Sequence, residues 1–127
     1  MDSSCILYCS SELDIKEFQS EIATFLNLQR ETFSFFHGDF FELSISKNDE
    51  FNSKLQHDFP DGFLYFKYLL SFAFNDTLVT NTQIELINKI LGWMWNKNIP
   101  TIAACDYEDK LLNNGGYRNT SLPWPEK

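Results

Sequence analysis

The stretch from Thr82 to Asp109 constrains the fold most, because it strings together a helix, a stop, a buried strand and an acidic exit. At about 100° per residue, Ile84, Ile87, Ile90, Leu91, Met94 and Trp95 fall in one sector, with Glu85, Lys89 and Asn96 opposite. This predicts an amphipathic helix over Thr82–Lys97. Thr82 and Glu85 have the spacing of a capping box, in which hydroxyl and carboxylate each satisfy a free N–H. Asn98 suits the left-handed residue that closes a helix, and Pro100 forbids its continuation. Thr101-Ile-Ala-Ala-Cys105 then reads as a strand packed closely against helices. Asp106-Tyr-Glu-Asp109 leaves it, placing three carboxylates and a phenol at an exposed strand end.

A chain of 127 residues is most economically one domain, here expected to span 1–127. Thirteen phenylalanines and 43% hydrophobic residues argue against disorder and for a core rich in rings. The net charge of -8 and only ten scattered Lys and Arg argue against nucleic acid as a partner and favour a basic one. No signal peptide is visible at Met1-Asp-Ser-Ser and no apolar run approaches the length of about 20 that spans a bilayer, so the expectation is a cytoplasmic protein without membrane contact. Cys5, Cys9 and Cys105 are an odd number without a secretory signal, which points to buried thiols rather than disulfides.

From the beginning, Ser4–Cys9 is a first strand broken by Ser10-Ser11. A helix over Asp14–Asn27 follows, its stripe formed by Ile15, Phe18, Ile22, Phe25 and Leu26. Asp14 is its N-cap, and Leu13 and Phe18 have the spacing of a hydrophobic staple. Thr32–Phe36 and Phe40–Ser46 alternate around His37-Gly-Asp39, the signature of a hairpin, with Phe41, Leu43 and Ile45 on the core face. Lys47–Pro60 is a polar loop. Phe63–Phe74 reads as the longest strand, its even positions Leu64, Phe66, Tyr68, Leu70, Phe72 and Phe74 facing the helices. The tail, with Asn113-Asn-Gly-Gly116 and Leu122-Pro-Trp-Pro125, continues neither helix nor strand and is expected as an irregular arm over residues 110–127, anchored by Trp124.

The predicted architecture is α+β. It is a two-layer sandwich in which a mostly antiparallel five-stranded sheet carries two helices on one face, in the order β-α-β-β-β-α-β.

The acidic exit, Asp106, Glu108 and Asp109, suits a solvated loop, a patch that recognises cationic groups, or a metal or acid/base site if Asp58, Asp61 and Asp76 converge on it. His37 and His57 stand near Asp39 and Asp58, but no nucleophile is signalled beside either. No GxSxG, P-loop, GxGxxG, HExxH or paired CxxC occurs. Trp93 falls at the margin of the helix's buried sector, either covered by the C-terminal arm or exposed as an anchor for a partner.

Asp61-Gly-Phe-Leu-Tyr-Phe66, Leu91-Gly-Trp-Met-Trp95, Ile99-Pro100, Ala103-Ala-Cys-Asp-Tyr-Glu-Asp109, Gly115-Gly-Tyr117 and Pro123-Trp-Pro125 together resemble a group of small acidic bacterial proteins. These are immunity proteins of polymorphic-toxin and contact-dependent growth inhibition systems. The resemblance covers roughly the C-terminal half. It implies a non-enzymatic inhibitor that binds a toxin domain in the cytosol, and it does not by itself assign contact residues. The acidic balance and the clustering of carboxylates beside a phenol at one strand end make Asp106, Tyr107, Glu108 and Asp109 the expected contacts, with Trp93 or Trp124 as aromatic anchors; with no catalytic motif in the chain, no cofactor and no metal are expected. The alternatives left open are a small metal-dependent enzyme using the acidic cluster and a small-molecule-binding module.

Overall fold

A computed structural model describes residues 2–126. It contains an open antiparallel sheet of six strands, in the order β2-β3-β4-β5-β1-β6, and two α-helices. The strands are β1 (Cys5–Cys9), β2 (Gln29–Arg30), β3 (Phe35–His37), β4 (Phe41–Lys47), β5 (Tyr68–Phe74) and β6 (Thr101–Ala104); the helices are α1 (Ile15–Leu26) and α2 (Asn81–Asn96).

Side chains alternate across a strand, so the register sorts them into rows. On the inner face, Phe36, Leu43, Phe72 and Cys5 form one row and Ile45, Leu70, Leu7 and Ala103 the next. Phe18 and Ile22 of α1 and Ile87, Ile90, Leu91 and Met94 of α2 join these rows in a single core, so both helices cover the same face. Phe18 stacks on Tyr68 with ring centroids 4.8 Å apart. The outer face carries Phe35, Ser44, Ser71, Ile6 and Ala104 in one row and Ser46, Leu69, Tyr8 and Ile102 in another.

The α1 boundaries follow the sequence reading. The Asp14 side chain accepts from the Glu17 N–H, and Asn27 closes the helix at φ 55°. α2 begins earlier than expected, because Thr80, not Thr82, is its N-cap. The Thr80 hydroxyl accepts from the Gln83 N–H at 3.3 Å, and the Gln83 amide oxygen accepts from the Thr80 N–H at 3.1 Å. Two overlapping boxes compete here, and the one whose third residue also has an internal acceptor prevails. Gln83 is buried and donates to the Asp76 carbonyl at 2.9 Å, whereas Glu85 stays in water.

Two corrections concern the strands. Gln29–Arg30 pairs with Phe36 and His37 as a sixth, two-residue edge strand that has no alternating pattern to announce it. The expected strand over Phe63–Phe74 begins only at Tyr68, because Asp61–Tyr65 winds into a 3₁₀ turn. Gly62 lies so close to the 3₁₀ turn at Leu55–His57 that a Cβ there would stand 2.6 Å from the Leu55 carbonyl oxygen. That backbone-to-backbone packing holds the segment off the sheet, and Leu64, expected inside, is 44% exposed.

The arm after β6 is irregular, as expected, with 3₁₀ turns at Glu108–Lys110 and Leu112–Gly116. Asn113, Asn114, Gly115 and Gly116 all have positive φ, which brings the chain back against β6. A Cβ at Gly116 would meet Trp95 at 2.9 Å and the Thr101 carbonyl at 3.1 Å, so a side chain there has no room. Among the described residues no helix is long and apolar enough to cross a membrane.

Candidate functional site

β6 ends at Ala104 and the chain turns through Asp106, which is exposed, into the 3₁₀ turn that carries Glu108 and Asp109. Asp106 accepts the Asp2 N–H at 3.0 Å, which ties the chain's beginning to the acidic exit. Burial, reinforced by the nearby Asp106 charge, raises the Glu108 carboxyl above its ordinary value, against an opposing hydrogen bond from the Cys105 backbone. An ionised Glu108 is thus under-solvated and lies beside a like charge, the condition in which a cation is most welcome.

Tyr107 departs from the expected phenol at an exposed strand end. It is fully buried, and its hydroxyl donates to the Ser3 carbonyl oxygen at 2.8 Å inside the core. Burial pushes its hydroxyl pKa far up. Tyr107 therefore positions the acidic exit rather than presenting itself to a partner. The phenol beside the carboxylates on the surface is Tyr117, whose hydroxyl donates to Asp61 Oδ1 at 2.6 Å.

Neither tryptophan stands free. Trp93 stacks on Phe25 of α1, with ring centroids 4.5 Å apart and an interplanar angle of 12°, and the Lys97 ammonium lies 4.9 Å from its ring centre. Its cover is the first helix, not the C-terminal arm. Trp124 anchors the arm as expected: its indole N–H donates to the His57 carbonyl at 3.0 Å, and its ring meets Phe59 and Phe66 edge-on. Both tryptophans are half-buried.

His37 contacts Glu31 at 2.7 Å rather than Asp39, and His57 lies 3.1 Å from the Pro125 carbonyl. Asp76 is occupied at the turn before α2, where its side chain accepts the Leu78 N–H. Among the described residues no group of three or more His, Cys, Asp or Glu is arranged to hold a metal ion.

The structure does bring Asp61 to the acidic exit. A recess of about 170 Å³ opens between the 3₁₀ turn at Asp61–Tyr65, β6 and the arm, lined by Asp61, Phe63, Leu64, Ile102, Glu108 and Tyr117. The Phe63 ring meets Tyr8 edge-on at 5.2 Å on one side and Tyr117 at 5.8 Å on the other. Sequence reasoning missed Phe63 and Tyr117 here, because Phe63 was placed within a strand and Tyr117 in an arm of unspecified course. Their one signal was the pair of flanking turn motifs, Pro60-Asp-Gly62 and Asn113-Asn-Gly-Gly116. Comparison with protein-family models, curated proteins and solved structures gives no match to this chain.

Proposed function

We propose that this chain is an immunity protein that binds a cognate bacterial toxin domain in the cytosol and neutralises it by covering its active or substrate-binding surface. The observation that carries the reading is the end of β6, where Asp106, Glu108 and Asp109 gather on a protein of net charge -8. A toxin that acts on nucleic acid needs a basic surface to hold phosphate, and an acidic protein occupies such a surface with fast, electrostatically steered association. The resemblance of the C-terminal half, from Asp61 to Pro125, points the same way. Within this reading the contacts are Asp106, Glu108 and Asp109, with Tyr107 fixing their backbone from beneath and Trp93 and Trp124 at most lending the edges of their half-buried rings.

The test is co-expression with the product of the adjacent upstream reading frame, followed by co-purification and a growth-rescue assay. Rescue and a stable complex are expected. Rescue that persists after the charges of Asp106, Glu108 and Asp109 are reversed would leave immunity standing and move the surface elsewhere. Absence of both binding and rescue would sink the function.

A further inference from the structure

The recess beside β6 has a composition that selects its occupant. Its walls are apolar and aromatic, from Phe63, Leu64, Ile102 and Tyr117, and its charged lining groups are carboxylates, Asp61 and Glu108. Neither has an ion-pair partner among the described residues. Its volume of about 170 Å³ falls below the roughly 300–1,000 Å³ of sites that enclose a small-molecule ligand. It suits one long side chain delivered from outside.

We infer that this recess receives a cationic side chain, arginine or lysine, projecting from a protein partner, with the stem against Phe63, Leu64 and Ile102 and the charged head between Asp61 and Glu108. This rests on the immunity reading only for the identity of the partner. Three features make a cation the complementary group. An apolar stem with a charged head matches a recess whose walls are apolar and whose charged lining groups are carboxylates. The aromatic wall suits a cation, since the Arg118 guanidinium already lies 5.3 Å from the Tyr117 ring centre, and the incoming head comes between the two carboxylates beside that wall. The Tyr117 hydroxyl occupies only Oδ1 of Asp61, so Oδ2 is left to accept N–H donors, and the Glu108 carboxylate, which takes one hydrogen bond from the Cys105 backbone, has lone pairs to spare. Leu64, exposed at the mouth, supplies the apolar rim that excludes water around such an anchor.

The test uses the whole protein, isotopically labelled, titrated with Nα-acetyl-arginine methylamide, with the lysine analogue, and with the neutral citrulline analogue at low ionic strength. Saturable shifts confined to the backbone signals of Asp61–Leu64, Ile102–Ala103, Glu108 and Tyr117 are expected with the arginine or the lysine compound, in the millimolar range, and not with citrulline. Glu108→Gln and Asp61→Asn should each weaken binding several-fold, whereas Glu85→Gln on the far side of α2 should not change it. Each variant's amide spectrum verifies its fold. Equal shifts with citrulline, no saturable shift with either cation, or full binding by the Glu108→Gln and Asp61→Asn variants would overturn the assignment. No toxin enters the titration, so its outcome is independent of the immunity assay: cation binding with no toxin complex would sink only the partner's identity, and the converse only the recess.

Discussion

The Tyr107 hydroxyl donates to the carbonyl oxygen of Ser3 at 2.8 Å, in the interior, across almost the whole length of the chain. Tyr107→Phe removes the donor and strands that acceptor, which should cost about 1–3 kcal/mol. Urea unfolding checks this. The same variant should still bind any partner of the acidic exit, because the ring, and with it the backbone path of Asp106 and Glu108, stays in place; lost binding with retained stability would put Tyr107 back at the interface.

Leu91 is fully buried in the core shared by both helices and the inner face of the sheet. Leu91→Ala should therefore destabilise the protein by about 2–5 kcal/mol, the usual range for deleting a large buried aliphatic side chain. A cost below about 0.5 kcal/mol, as at a surface position, would mean that α2 is rotated away from the sheet.

The two candidate caps of α2 are separable. Thr80→Ala should cost about 1 kcal/mol, since it removes the acceptor of the Gln83 N–H. Thr82→Ala, at an exposed position inside the helix, should be neutral or slightly stabilising. Equal losses in thermal unfolding would restore the later start.

Glu108 gives the pH dependence its sign. Its folded carboxyl titrates above the ordinary value of 4.5, chiefly because of burial and then because of Asp106. The group therefore favours the folded state most below the ordinary value, and this contribution is lost as pH rises through the raised one. Glu108→Gln should be more stable than the parent near neutral pH, with the difference closing below 4.5. Paired unfolding curves at the two conditions read it, and a less stable variant at neutral pH would refute it.

The cysteines should differ sharply in reactivity. The Cys105 thiol is lowered by a hydrogen bond from Cys5, with help from the Tyr107 N–H, and it is half-buried. Cys5 is correspondingly raised, and burial pushes Cys9 up to about 12. Brief iodoacetamide treatment of the native protein, read by peptide mass mapping, should label Cys105 alone; equal labelling of Cys9 would contradict the buried strand.

What could be read from the sequence was what a single local rule decides. Asp14 and Asn27 bounded α1 because cap and stop each have one chemistry, and Leu91 and Met94 fell inside because the helical period has one apolar sector. Two rules competed where the reading slipped. Thr80-x-x-Gln83 and Thr82-x-x-Glu85 both spell a capping box, and only the tertiary acceptor at Asp76 separates them. Phe63 to Tyr65 continue an apolar alternation into β5, yet the close approach of Gly62 to Leu55 overrides it. β2 follows from its neighbour β3 rather than from its own side chains. At the candidate site, the carboxylates of the exit were legible because all three fall within four residues, Asp106 to Asp109. The inward turn of Tyr107 and the arrival of Asp61 and Tyr117 were not, because both depend on the return path of the arm.

β1 lies between β5 and β6, strands synthesised well after it. Its pairing is entirely non-local, so a growing chain completes the β3–β4 hairpin early and holds Cys5, Leu7 and Cys9 without partners until β5 arrives on one side and β6 on the other. Such late closure slows folding and leaves an apolar strand open to misassociation in the meantime. A chain halted before Thr101 lacks the second flank of β1 and the residues of the acidic exit alike. Structural completion and, on the proposed reading, inhibitory competence should thus appear together, once β6 and the arm have been made, rather than by degrees.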